Sequence, residues 1–325
     1  MAITLAEMSR LLTDPLKKGV VDVFRRESKI MDRLSFEDSG TLSIEVLRTK
    51  TLPTVGWRKI GNAYGSSQGV TEPIVERVHS LGGSVDVDKA YVRATNTVVK
   101  ARSVQTDMFT TAIALGFNDA FINGDPTANA DTLVGLFYRF ISGAVPSGQS
   151  LNLNGLDISP DVGTTLSANF DTFLDNFQAL IHNCDGHKAD AVLMNQTLYL
   201  RIVSALRQKG LFSQSQDNYG RTIVTYGPGG PELIDIGNKA DQTSLVIGNV
   251  ETNAGTALTG GGATSAYAVR WNTPYVAGFQ EYPLEVQDLG LINDGVTYRT
   301  VIDWTPGIFM INPRAVARLS GVIAA

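Results

Sequence analysis

Residues 41–88 constrain this 325-residue chain more than any other stretch. From Thr41 apolar and polar residues alternate, with Leu42, Ile44 and Val46 on one face and Ser43, Glu45 and Leu47 on the other, the two-residue period of a strand. A second alternating run, Ser84-Val85-Asp86-Val87-Asp88, follows the Gly82-Gly83 pair. Between them, from Pro53 to Pro73, the sequence is rich in Gly, Pro and Ser. Read as one hairpin-like excursion, about 20 extended residues reach roughly 65 Å at ~3.3 Å each. Two strands of that length have no core of their own and are marginal in water, so the excursion needs a partner surface.

The tip of the excursion carries Gly56-Trp57-Arg58-Lys59 and Tyr64. Trp and Arg on a Gly-rich projection are residue types enriched where a protein anchors on a partner. Trp57, Arg58, Lys59 and Tyr64 are therefore the expected interface residues, against the alternative of a Trp folded back on its own strands. The same tip contains Gly65-Ser66-Ser67-Gln68-Gly69, which fits G-x-S-x-G. A nucleophile elbow needs a buried strand before the serine and a helix after it. Lys59-Ile60-Gly61-Asn62 upstream is no buried strand, and Val70-Thr71-Glu72-Pro73 downstream opposes a helix start. Ser67 reads as part of a loop, with a serine hydrolase as the outlying alternative.

Residues 3–13 place Leu5, Met8, Leu11 and Leu12 on one helical face, and after Asp14-Pro15 a second short piece carries Val20, Val21, Val23 and Phe24. Each piece is short for an independent helix. Residues 1–39 are expected to form an arm that packs on something else, with Leu5, Met8 and Phe24 as contact residues.

Residues 102–123 predict the clearest helix, with Phe109, Ile113, Phe117 and Ala120/Phe121 at helical spacing and Val104, Met108 and Leu115 widening the stripe. Gly124 stands where a left-handed cap belongs, and Pro126 prevents continuation. A second helix is expected over 167–183, from Phe170, Phe173, Leu174, Phe177, Leu180 and Ile181. The run Ala191-Val192-Leu193-Met194 reads as a buried strand, and 198–208 as a helix closed by Gly210. Strands are expected at 221–226, 243–248 and 265–271, then alternating strands and turns over 283–323. The fold class is α+β.

With 43% hydrophobic and 18% charged residues the chain should bury a real core. The net charge of -5 lacks the basic stripe of a sequence-specific nucleic-acid reader. One cysteine, Cys184, permits no intrachain disulfide. Glu7, Arg10 and Asp14 interrupt any signal-peptide core, and no apolar run is long enough to span a membrane, so a cytoplasmic setting is expected. His182-Asn183-Cys184-Asp185-Gly186-His187 has zinc-type ligand spacing, but the remaining histidine, His79, lies far away in sequence, and a helix C-terminus followed by an Asp-Gly turn explains the cluster. GPGG and TGGGATS match no phosphate-binding motif. Asp86 and Asp88 share one strand face, which alternation on a solvated ribbon explains without acid/base chemistry. No catalytic residue, metal or cofactor is expected.

Taken in order, the N-terminal arm, the ribbon, the long helix ending in FINGDPTANADTLVGL, and a mixed block that opens with ADAVLMN resemble the major capsid proteins of tailed bacteriophages. The Asn123-Gly124-Asp125 turn followed by Gly135-Leu136 is similar to that family's helix end, and TLPTVGWRKIG with GGSVDVDKAYV looks like its extended loop. Residues 243–249 resemble a later strand there.

The resemblance implies an L-shaped subunit: N-arm 1–39; extended β-hairpin loop 40–99; peripheral domain with its long spine helix, 100–165 and 271–312; axial domain with a central mixed sheet, 166–270 and 313–325. It further implies self-assembly through pentamers and hexamers into an icosahedral shell that encloses packaged double-stranded DNA in the virion, after assembly in the bacterial cytoplasm. The partners implied are further copies of the chain, a separate scaffolding protein, a portal protein and a decoration protein; covalent cross-linking is not expected. An encapsulin-like compartment enclosing cargo enzymes is the alternative.

Overall fold

The computed structural model describes residues 28–90, 98–216, 222–253, 256–257 and 263–325. Leu5, Met8 and Phe24, and the helical pieces expected around them, lie outside the described residues. In chain order the strands are β1 (Phe36–Asp38), β2 (Ser43–Thr51), β3 (Val70–Arg77), β4 (Leu81–Asp88), β5 (Ser150–Asp157), β6 (Ala191–Met194), β7 (Phe212–Gln216), β8 (Thr222–Tyr226), β9 (Glu232–Asp235), β10 (Thr252–Asn253), β11 (Thr256–Ala257), β12 (Ala263–Val269), β13 (Val276–Gln280), β14 (Glu285–Leu291), β15 (Thr297–Trp304), β16 (Pro306–Met310) and β17 (Val316–Ile323). The helices are α1 (Val98–Asn123), α2 (Leu136–Ile141), α3 (Leu166–Asn183) and α4 (Gln196–Gln208).

A seven-stranded mixed sheet, ordered β5-β17-β12-β6-β9-β8-β7, forms the centre. β12 is antiparallel to both neighbours, while β6–β9 and β17–β5 are parallel. Its middle strands are buried on both faces, which is why AVLM is an unbroken apolar run. Val192, Met194, Ala266, Ala268 and Leu319 face a core covered by α3 and α4. Ala191, Leu193, Tyr267 and Val269 face a second core with Ile113, Phe117 and Phe121 of α1. All six apolar residues expected on α3 are buried. Asn195 caps α4 by accepting from the Leu198 N–H at 2.9 Å, and its amide donates to the Ile247 carbonyl at 3.1 Å.

Smaller sheets complete the fold: β1-β13-β16, β14-β15-β4 and the β2–β3 pair. The two alternating runs read as one excursion belong to different sheets. β2 pairs with β3, lying within the Gly/Pro/Ser-rich stretch, whereas β4 pairs along its whole length with β15. Gly82 allows that second pairing, since a Cβ there would meet the Ile302 carbonyl of β15 at 2.3 Å, and Gly83 allows α1 to pack on β4, since a Cβ there would meet the Phe109 ring at 2.8 Å. Asp86 is consequently not on a free ribbon but receives two hydrogen bonds from Arg299 of β15, at 2.7 and 2.6 Å.

Three other expectations change. Thr243–Asn249 forms no strand; it makes one bridge, Asn238 to Leu245, and buries Val246 and Ile247 as an irregular segment. Val104 and Met108 do not widen the buried stripe of α1 but stand exposed, because the body ends against the C-terminal half of that helix. Gly124 is not left-handed: it is absent from the residues with positive φ, and it is glycine because a Cβ would lie 2.1 Å from the Leu133 carbonyl.

Candidate intersubunit interface

The β2–β3 ribbon runs in register from Ser43↔Arg77 to Thr51↔Val70. Its two faces differ. Val46 is buried with Phe279 and Phe309 of the β13–β16 pair, and Ile44 and Val78 pack on the same cluster. The opposite face presents Leu47 and Val75, which are 65% and 57% exposed, with Pro73 opposite Leu47. Among the described residues only one face of the ribbon is uncovered, because the other is seated on the chain's own β-sheet.

Two arginines hold the seated face. Arg139 of α2 donates from Nη1 to Glu76 Oε1 at 2.5 Å and from Nη2 to Oε2 at 3.1 Å, with further bonds to the Ile308 and Val134 carbonyls. Both side chains are buried. A fork-to-fork pair with further bonds to backbone carbonyls is the geometry in which buried charge is tolerated. Arg48 of β2 donates to the Ala144 carbonyl at 2.8 Å. The sequence reading missed both anchors; a charged residue inside the apolar helix LFYRFI is the signal that could have found Arg139.

Beyond the ribbon, residues 52–69 are exposed throughout. Trp57 is not folded back on its strands; it is fully exposed, as are Val55 and Ile60. The Arg58 guanidinium lies 4.8 Å from the centre of the Tyr64 ring and donates to the Asn62 carbonyl, so these residues order the tip locally. Lys59 accepts through its carbonyl from the Asn62 N–H at 3.1 Å, closing a turn. Ser67 does not stand on a strand-to-helix turn: its hydroxyl oxygen accepts from the Thr54 N–H at 2.8 Å, which ties the two legs of the loop together.

The other sequence candidates are structural. The rings of His182 and His187 stack at 3.9 Å, and His187 Nδ1 lies 2.8 Å from the His182 carbonyl. Burial pushes the Cys184 thiol up to about 12, so it stays a protonated, small apolar group. Among the described residues no group of three His, Cys, Asp or Glu could hold a metal ion, and no helix is long and apolar enough to cross a membrane. At the Asn-Gly-Asp turn, Gly135 donates its N–H to the Gly124 carbonyl at 2.9 Å, and Asp125 accepts from the Thr127 hydroxyl and N–H.

A family model described as major capsid protein GP7 matches residues 14–153, a span that contains the ribbon, α1 and the Asn-Gly-Asp turn. No curated protein sequence matches significantly. Among solved structures, the SrpI encapsulin of Synechococcus elongatus is similar with a TM-score of 0.58 at 13% identity, over 89% of this chain and 85% of that one. The capsid of a native GTA particle has a TM-score of 0.59 at 13% identity, over 91% and 90%. A structure from Mycobacterium phage Bobi has a TM-score of 0.56 at 12% identity, over 90% and 89%. The chain therefore carries the shell-protein fold shared by phage capsids and encapsulins, and over residues 14–153 it matches the major capsid protein GP7 family.

Proposed function

We propose that this chain is the major capsid protein of a tailed phage, a structural rather than catalytic protein that self-assembles through pentamers and hexamers into an icosahedral shell around double-stranded DNA. The observation that carries the reading is the β2–β3 ribbon and its tip. One face is locked to the body through Glu76 and Arg139, while Trp57, Arg58, Lys59, Tyr64 and the outer apolar face have no cover within the described residues of the chain. A projection anchored at its base and apolar at its end is suited to heterologous contact with the next subunit, the contact type that closes rings and larger assemblies. Each contact can be modest, because every subunit makes several at once. On this reading Leu5, Met8 and Phe24 of the N-terminal arm add further contacts, the shell is the virion's outer layer, and scaffolding, portal and decoration proteins are its partners.

The encapsulin-like alternative is kept by one observation, the similarity to the SrpI encapsulin over most of both chains. Negative-stain electron microscopy of the purified protein, alone and with the products of neighbouring genes, tests both. Closed polyhedral shells or free capsomers are expected, with DNA inside for a phage head and protein cargo for a compartment. A uniform monomer or dimer under all conditions would overturn the shell reading.

A further inference from the structure

Asn-Gly occurs twice in the chain, at Asn123-Gly124 and at Asn154-Gly155. The dipeptide has a chemistry of its own. With no side chain on the glycine, its backbone nitrogen can reach the Asn side-chain carbonyl carbon and close a five-membered ring. The fold treats the two copies differently. The Asn123 amide donates to Asp119 Oδ1 and to the Val246 carbonyl, both at 2.7 Å, and the Gly124 N–H donates to the Ala120 carbonyl at 2.9 Å. Gly124 is also buried. Electrophile and nucleophile are thus both held at the end of α1, away from the water that ring opening requires.

Asn154-Gly155 lies within β5 and has neither restraint. Leu153, Asn154 and Gly155 have no partners in the β5–β17 register, which passes from Asn152↔Ser320 directly to Leu156↔Val322. These three residues bulge from the ladder opposite Gly321 alone, and a Cβ on Gly321 would lie 2.9 Å from the Asn154 nitrogen. Asn154 and Gly155 both take positive φ, 52° and 84°, a pairing of Asn with Gly that tight turns favour. Asn154 is exposed, and among the described residues it is bonded through its backbone, its N–H donating to Asn152 Oδ1 at 2.9 Å. Its side-chain amide therefore stands in water beside a glycine outside the ladder.

From this contrast we propose that Asn154 is a site of spontaneous modification, converted in the folded chain to aspartate and isoaspartate while Asn123 is preserved. The Gly155 nitrogen gives up its proton and attacks Cγ of Asn154. The Cγ–Nδ2 bond breaks, and Nδ2 leaves as ammonia, carrying that proton. The resulting succinimide takes up one water, which opens either of its two carbonyl–nitrogen bonds. Opening at Cγ gives aspartate, and opening at the backbone carbonyl gives isoaspartate. β5 is the terminal strand of the seven-stranded sheet, so either product puts a negative charge on an edge strand, where charge opposes the addition of a further strand. Isoaspartate also adds a methylene to the backbone where Gly321 closes on Asn154.

Peptide mapping by mass spectrometry, on the purified chain incubated folded at neutral and at mildly alkaline pH, tests this. The peptide containing Asn154 should gain about 1 Da and resolve into two isomers, at least about tenfold faster than the peptide containing Asn123. Its conversion should be faster at the higher pH, because attack requires loss of the Gly155 N–H proton. In urea, where the contacts that separate the two sites are gone, both Asn-Gly pairs should convert at similar rates. Equal rates in the folded chain would overturn the proposal. So would an Asn154 that persists in the folded chain and converts only in urea. Asn154→Gln should abolish the mass gain of its peptide, and a gain that survives this change would overturn the assignment to residue 154.

Discussion

Arg139 on α2 holds Glu76 on β3 with both arms of its guanidinium, at 2.5 and 3.1 Å, and so welds the ribbon to the body at a pair of buried side chains. Removing either partner strands a buried charge. Arg139→Met and Glu76→Gln should each cost about 3–5 kcal/mol of subunit stability. The double variant, in which no charge is left unpaired, should recover part of that loss. A double-mutant cycle by urea unfolding checks this, and additive losses would show that the pair is not coupled.

The glycines of α1 and the turn after it should behave oppositely. Gly124→Ala pushes a methyl group into the Leu133 and Ala120 carbonyls and should destabilise by about 1–3 kcal/mol or more. Gly116, in the same helix, has open space where a Cβ would stand. Gly116→Ala should stabilise by about 0.5–1 kcal/mol. Thermal melts of the two single variants suffice to test the pair.

Trp57 separates folding from assembly. It is fully exposed and buries nothing against the described residues, so Trp57→Ala should leave subunit stability within about 0.5 kcal/mol. If the tip anchors a neighbour, the same change should weaken association by about 2 kcal/mol or more, a shift of at least tenfold in the critical concentration for assembly measured by light scattering. Unchanged assembly would remove Trp57 from the interface.

Four exposed carboxylates should make the subunit acid-sensitive in a narrow window. The Arg299 guanidinium holds Asp86 below the ordinary value of 3.8, and hydroxyl and backbone donors do the same for Asp125, Asp241 and Asp294, led by Thr127, Ser244 and Thr297 respectively. A carboxylate whose folded value is depressed contributes stability that is present above the unfolded value and is lost as pH falls through the folded one. The urea midpoint should therefore drop below about pH 4, the region of the unfolded carboxylate pKa. Asp294→Asn and Asp125→Asn should each flatten that drop. A midpoint independent of pH from 5 to 2.5 would contradict the assignment.

Helices α3 and α4 and strand β6 were legible because their signals are local. Six apolar residues of α3 fall on one helical face, Gly210 takes a positive φ after α4, and AVLM is apolar on both faces of a strand buried from both sides. The exposed tip residues were legible for the same reason, since a Trp among glycines with no apolar periodicity has nothing nearby to pack on. What failed were statements about pairing. Ile44 and Val87 carry the same alternation, and nothing in either run says that one strand joins β3 and the other β15. Thr243–Asn249 looks like a strand by composition, yet Asn195 reaches across from α4 to take its backbone, so it buries apolar side chains without a ladder.

The sequence alone determined the helices α1, α3 and α4, the buried strand β6, and that a Gly-rich projection carries exposed aromatic and cationic residues, because periodicity and turn chemistry act over a few neighbours. The tertiary structure decided which face of the ribbon is seated on the body and that Glu76 is a buried anchor rather than one more surface carboxylate. Those outcomes depend on residues 63 and more positions apart meeting in space, as Glu76 meets Arg139, and no local pattern encodes a distance of that kind.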